Sequence, residues 1–507
     1  MSTQLTAIEV LRQSTFGQRT AEEELEHLSR YFVETEHWRR VFDGAVDIVY
    51  GPKGSGKSAI YSLVVKNESV LFDRNILAIP GENPQGAVAF QSLRDDPPRD
   101  EFEFISLWKV YILTLCGKAF KDYDLRSENC QKVVDALEQA DLLPKSFTLS
   151  KALKYALDYV KNLGRRVESV EGGLNVDPAT MIPGVTGKIS LREPSAAAAK
   201  LGAVSIDELL QTANSALREQ NLTVWILLDR LDVAFSNMPE LEASALRALF
   251  KYYLDTKQLS SIRPKIFLRT DIWRDIVKNG FREASHLERT LTITWRSEDI
   301  LNLVVKRLLS NSAIVQYYEV DKDAVLARAD KQIDLFYRVS PRQVDSGPNK
   351  PDTLKWLITR TSDASKAAAP RELIHMLNEL RNEQIKKLER GDKVPPEQQL
   401  FEQTSFKDAL PMVSQTRLEQ TFYAEYARLK PYVEKLREKR ATQSLQSLSE
   451  LWDISEAETS TIVADLEEAG FLEKFGKMWR VPFLYRSALD LVQGAVESQD
   501  EEVPTSV

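Results

Sequence analysis

Eight consecutive residues, Gly51-Pro52-Lys53-Gly54-Ser55-Gly56-Lys57-Ser58, satisfy G-x-x-x-x-G-K-[ST] at every fixed position. That spacing suits the cradling of nucleotide phosphates. Glycines let backbone N–H groups close around phosphate oxygens where a side chain would intrude, and the start of the following helix adds partial positive charge. Lys57 brings a point charge to the β- and γ-phosphates, Ser58 offers a hydroxyl to Mg²⁺, and Ala59 closes the nucleotide-binding run 51–59. An apolar stretch, "AVDIVYG", leads into the loop and a helical one follows it, which is the context the motif requires.

A phosphate loop needs a carboxylate to organise the cation. Asp229 ends the apolar run "VWILL", at the C-terminal edge of a strand where open α/β sheets hold ligands, and is assigned to Mg²⁺ directly or through water. Its alternative is a helix cap. Many ATPases place a water-positioning glutamate directly after this aspartate; here that residue is Arg230. The next acid, Asp232, either orients the attacking water or pairs with Arg230. In "KIFLRTD", Arg269, Thr270 and Asp271 end the following strand, and the Thr270 hydroxyl can reach the γ-phosphate or its water; a strand-end turn residue is the equal alternative.

These residues need a scaffold of strands alternating with helices. Apolar strands are read at 74–82, 222–232, 263–271 and 289–295, with helices at 20–42, 58–66, 104–120 and 206–220. The pattern predicts an α/β protein with a parallel sheet covered by helices on both faces. Residues 164–203, rich in Gly, Pro and Ala, read as an inserted loop or hairpin. From 297, with Ser297 as a helix cap, helices dominate, and a helix is expected over 415–440. The expected divisions are an N-terminal helical segment 1–44, an α/β core 45–296, a helical lid 297–390, a linker and helix 391–440, a small domain 441–490 and a disordered acidic tail 491–507.

"GPKGSGKS", "WILLDRLD", "FLRTDIW" and "APRELIHMLNELR" occur in the order found in AAA+ and STAND-type P-loop ATPases, including the origin-recognition-like and KAP-like branches, which the chain resembles. The resemblance implies ATP rather than GTP, a helical lid after the core, and an extra strand between phosphate loop and acidic strand, for which 74–82 is the candidate. It implies a lid arginine that reports the γ-phosphate. Arg371, in "APR" at a helix start, matches it, with Arg342 competing. It also implies an arginine donated in trans before the fifth strand, where Arg282 and Arg289 stand. The catalytic set so read is Lys57, Asp232, Thr270 and Arg371. The whole chain is similar to a group of bacterial P-loop ATPases, some suspected of roles in anti-phage defence. That implies a homo-oligomer, an effector protein, or both, as partners.

Residues 441–490 read helix, turn, helix, hairpin about Gly476, and resemble a winged helix. Its would-be recognition helix carries Glu456, Glu458, Asp465, Glu467 and Glu468 and no Lys or Arg, which opposes the electrostatic attraction that dominates DNA affinity. A protein-facing role is favoured, with Lys474, Lys477 and Arg480 on the hairpin as the cations left for a DNA backbone. A net charge of -8 and pI near 5.5 also argue against a nucleic-acid coat or a membrane partner. Two cysteines, no signal-peptide core and no apolar span long enough for a bilayer point to the cytoplasm. Four histidines scattered singly argue against a histidine metal centre, and no nuclease, protease or deaminase constellation is identified.

Overall fold

The apolar runs become one parallel sheet: β1 (Ile48–Gly51), β2 (Ile76–Pro80), β3 (Thr223–Leu228), β4 (Ile262–Arg269) and β5 (Thr290–Thr292). Their order across the sheet is β2-β3-β4-β1-β5. The computed structural model describes residues 5–20, 23–24, 28–82, 93, 96–144, 146–171, 189–194, 196–200, 202–231, 238–278, 280–366 and 369–495. It divides into two compact units, one of 36–51 and 57–293, the other of residues up to 35, 52–56 and 294 onward.

The first unit is the α/β core. β1 and the last five residues of β3 are wholly buried, as expected of central parallel strands. Helix α1 (Lys57–Lys66) packs on β1 and β4, and α2 (Glu101–Asp122) on β2 and β3. Asp100 caps α2, accepting from the Glu103 N–H at 2.8 Å. At the strands' starting edge Asp47 accepts from Lys265 (2.8 Å), Arg289 (2.6 Å) and Tyr253 (3.0 Å), tying β1, β4 and β5 together.

The strand expected at 74–82 exists as β2, but it lies at the sheet edge beyond the acidic strand. The strand lying between β1 and acidic β3 is β4. Chain order alone does not give spatial order in a parallel sheet, because every neighbour is reached by a crossover. At the described edges of the stretch 164–203, a helix Leu149–Glu171 runs into it and 189–190 pairs in parallel with 204–205. Residues 172–188 lie outside those described.

The second unit gathers its own hydrophobic core from residues 7–33 and 300–489. Among the described residues, the helix expected over 20–42 appears as two short ones, Leu28–Tyr31 in this unit and Glu36–Phe42 in the α/β unit. Helix α3 (Ser297–Leu309) has Arg296 rather than Ser297 at its N-cap position, with Asp299 accepting from the Arg296 N–H at 3.2 Å. Helices α4 (Pro370–Glu389) and α5 (Gln403–Arg417) follow.

The expected helix 415–440 is broken. A π turn occupies Leu418–Phe422, Tyr426 leaves the helical region at φ -120°, ψ 51°, and Pro431 opens a short new helix, Lys430–Glu434. Helices α6 (Leu445–Trp452) and α7 (Glu456–Glu468) precede the hairpin β7 (Glu473–Phe475) and β8 (Met478–Arg480), turning at Gly476 with φ 64°. With β6 (Arg440–Gln443) and β9 (Val492–Ala495) these form a four-stranded sheet, β9-β6-β8-β7. The winged-helix pattern is present, and 492–495, expected in the disordered tail, is a strand. The fold is therefore the expected α/β parallel-sheet P-loop architecture with a helical region and a small C-terminal winged-helix sheet. Among the described residues no helix is long and apolar enough to cross a membrane.

Candidate functional site

In the α/β unit the chemistry gathers at the C-terminal edge of the sheet. The Lys57 ammonium donates to the Gly51 carbonyl at 2.8 Å, folding back over the turn its own helix begins. Asp229 follows β3 directly and is 4% exposed. Arg230 takes a left-handed backbone at φ 57°, unusual for a residue with a side chain. At the end of β4, Arg269 grips Asp271 through two bonds, 3.1 and 2.5 Å. Burial pushes the Asp271 carboxyl up, but Arg269, helped by Lys57, outweighs it and holds the carboxyl below the usual range. Between them the buried Thr270 hydroxyl has no hydrogen-bond partner among the described residues, as suits a group whose partner is a ligand.

Two residues not singled out in the sequence join this edge. Tyr61 lies one turn after Lys57 on α1 and donates its hydroxyl to the Glu82 carbonyl. Glu82, two residues past β2, is 0% exposed. Burial first, then the charges of Asp229 and Glu82, push the Tyr61 phenol well above its ordinary value.

Residues 52–56 of the loop have their contacts in the helical unit. Gly54 and Gly56 hold φ of 81° and 99°, where only glycine is unstrained. A Cβ on Gly54 would lie 3.2 Å from Cβ of Arg371. Arg371 therefore stands against Gly54 within this unit. Lys53 forms an ion pair with Glu425, and the Trp295 indole N–H donates to the Ser55 carbonyl at 2.9 Å.

Arg371 bonds Glu372 through Nε (3.2 Å) and Nη2 (3.0 Å). The same Glu372 oxygen accepts from Arg417 at 2.9 Å, and Arg417 reaches Asp363 (3.2 Å) and the Tyr485 hydroxyl (3.3 Å). Asp363 abuts Gly470 at the end of the winged-helix pair, where a Cβ would lie 3.2 Å from its carboxyl carbon. Arg342, the competing lid arginine, instead stacks on Tyr337 at 4.5 Å.

The remaining candidates separate. Arg289 is engaged by Asp47 and by the Gly44 carbonyl inside its own unit, whereas Arg282 is exposed. Asp232 lies outside the described residues. On the wing Lys474 and Lys477 are exposed, but Arg480 bonds Glu473 at 2.8 Å and stacks on Phe475. On the acidic helix, Glu458 closes a capping box with Ser455 and Asp465 pairs with Arg428 at 2.6 Å.

The donor chemistry fits Mg²⁺: a hydroxyl from Ser58 and a carboxylate from Asp229 are the hard oxygen ligands it takes, leaving other positions to phosphate and water. Among the described residues no cluster of three or more His, Cys, Asp or Glu could hold a metal unaided.

No family model matches the chain, and no curated protein matches its sequence. Among solved structures, the chain is similar to the Aeropyrum pernix ORC1 protein in complex with DNA. Identity is 12%, coverage is 93% of this chain and 96% of that one, and the TM-score is 0.35. It is also similar to the Aeropyrum pernix ORC2 protein in its ADPNP-ADP complexes, at 10% identity, with coverage of 94% and 96% and a TM-score of 0.28.

Proposed function

We propose that the chain binds Mg-ATP and hydrolyses it as a nucleotide-gated switch within a protein assembly. One observation carries this reading. The phosphate loop leaves β1, Asp229 leaves β3, and Thr270 leaves β4 between them, all at one edge of a parallel sheet. That edge is where α/β folds hold phosphorylated ligands.

The backbone of 51–59 receives the phosphates, with Lys57 balancing the charge of the β- and γ-groups. Ser58 and Asp229 hold the cation, which neutralises phosphate charge when bound. Thr270 orients a γ-phosphate oxygen or the attacking water. Arg371, against Gly54, reports the γ-phosphate to the lid. ATP is chosen over GTP on the resemblance of the motifs. With Arg230 where a glutamate commonly stands, turnover is slow and the switching function dominates.

Steady-state phosphate release and ATP affinity, with Lys57→Ala as control, test the reading. Wild type binds ATP and releases phosphate, and the variant loses both. Particle mass with ATP, with ADP and without nucleotide then shows whether the assembly follows the nucleotide. Absence of both binding and release in wild type sinks the proposal.

A second reading, DNA gripping by the wing, draws on the exposed Lys474, Phe475 and Lys477 at the hairpin tip. It requires salt-dependent binding to duplex that weakens on neutralising the two lysines. No binding at low salt with ATP present removes it.

A further inference from the structure

We propose that Glu82 is the carboxylate that orients the attacking water and takes its proton, the role that Arg230 cannot fill. This rests on the ATPase reading above. A guanidinium is a donor only and does not give up its proton, so residue 230 cannot accept a hydrogen bond from water.

The register places Glu82 at the right edge. β2 and β3 pair in parallel with Pro80 opposite Leu227, and the Gly81 N–H bonds the Leu227 carbonyl at 2.8 Å. Two steps further along each chain bring Glu82 abreast of Asp229, on strands about 4.8 Å apart. The two acids thus leave neighbouring strands side by side, one to hold the cation and one for the water.

Glu82 is held firmly. Tyr61 donates to its carbonyl, and Tyr111 donates to the Gly81 carbonyl at 2.8 Å. Both phenols are buried, and both lie close enough to the Glu82 carboxylate for its charge to raise them further. Tyr61 also connects this acid to the phosphate loop, because residues four apart share a helix face and Lys57 is its i-4 neighbour. The backbone turns into the left-handed region at Arg230, φ 57°, directly after Asp229.

In the step, the water oxygen forms a bond to the γ-phosphorus. The bond from that phosphorus to the β,γ-bridging oxygen breaks, and ADP leaves with the electron pair. One proton of the water passes to Glu82 and is then handed to an oxygen of the departing phosphate, while the other stays on the oxygen the water supplied.

The test uses the full chain as wild type, Glu82→Gln, Glu82→Asp and Asp232→Asn. ATP affinity, hydrolysis of pre-bound ATP in a single turnover, and thermal unfolding are measured on each. Glu82→Gln is expected to keep ATP affinity within about 3-fold while single-turnover hydrolysis slows by about 100-fold or more. Should Glu82→Gln fail to fold, Glu82→Asp decides: withdrawing the carboxylate by about 1.5 Å, one carbon–carbon bond, cuts the rate at least about 10-fold with affinity kept.

The proposal is overturned by a Glu82→Gln or Glu82→Asp rate within about 3-fold of wild type. It is also overturned if the rate loss appears in Asp232→Asn instead. Loss of affinity and melting temperature in step with rate shows a purely structural role and likewise overturns it. A wild type that binds no ATP fails at the earlier reading, and a wild type that binds and turns over while Glu82→Gln is unaffected fails only here.

Discussion

Glu372→Ala is the sharpest test of the lid. Glu372 is 4% exposed, and one of its oxygens accepts from both Arg371 and Arg417. The two guanidinium side chains are themselves only 14% and 10% exposed. Removing the carboxylate leaves Arg371 with one long bond to Thr421 at 3.4 Å and Arg417 with Asp363 and Tyr485. Breaking a buried ion pair by deleting one partner costs about 3–5 kcal/mol. At about 2–4 °C per kcal/mol for a unit of this size, the melting temperature falls by roughly 6–20 °C. Glu372→Gln keeps an acceptor of the same shape and loses less.

The pH dependence has a definite sign. Burial pushes the Glu372 carboxyl up from 4.5, but the charges of Arg417 and then Arg371 outweigh it and lower it in the folded chain. A lowered acid contributes stability that is fully present above its unfolded value and is lost as pH falls through the folded one. The gap between wild type and Glu372→Gln therefore holds constant from neutral pH down to about 5 and closes only below the unfolded value. Thermal unfolding followed by circular dichroism across that range reads both. A melting temperature for Glu372→Ala within about 2 °C of wild type, less than 1 kcal/mol, refutes the ion-pair account.

Other substitutions separate the same forces. Gly54→Ala combines a left-handed backbone with a Cβ 3.2 Å from Arg371, and is expected to weaken ATP affinity at least about 10-fold in a direct binding assay. Gly470→Ala, at φ 75° and against Asp363, costs about 1–2 kcal/mol from the backbone alone and lowers the melting temperature by roughly 2–8 °C. Arg289→Ala removes a charged bond to buried Asp47, worth about 1–3 kcal/mol, and lowers the melting temperature. Arg282→Ala leaves it within about 0.5 kcal/mol of wild type, so a turnover loss in Arg282→Ala at unchanged stability, restored by mixing with Lys57→Ala protein, identifies Arg282 as the residue given to a neighbour.

The parts legible in the sequence are those whose physics is local. The phosphate loop is contiguous, and its glycines at 54 and 56 are demanded by left-handed backbone. The apolar runs of β1, β3 and β4 announce buried strands because both faces are covered. Gly476 marks the hairpin because its turn needs positive φ.

What was hidden depends on register and distant partners. Glu82 follows an edge strand, and nothing near it in sequence tells that Pro80 pairs with Leu227. Glu372 looks like an ordinary helix-start acid until Arg417, 45 residues later, closes on it. The long helix expected at 415–440 had the right composition, and Pro431 was the available warning of its break.

The chain ends of the second unit have a consequence for biosynthesis. Arg307, 3% exposed, meets Glu24 through two bonds of 2.9 Å and also donates to the Phe16 carbonyl, and Asn378 holds the Gly17 carbonyl at 2.9 Å. These contacts span 283 to 361 residues of sequence. Residues 16–24 thus wait for partners made 283 to 361 residues later, while most of the α/β unit is synthesised in between and can fold first. Closure of so long a loop is slow. A nascent chain stalled after the sheet would carry residues 16–24 without these partners, and a chain lacking Glu24 and the residues before it would be left with a buried guanidinium and no carboxylate to meet it.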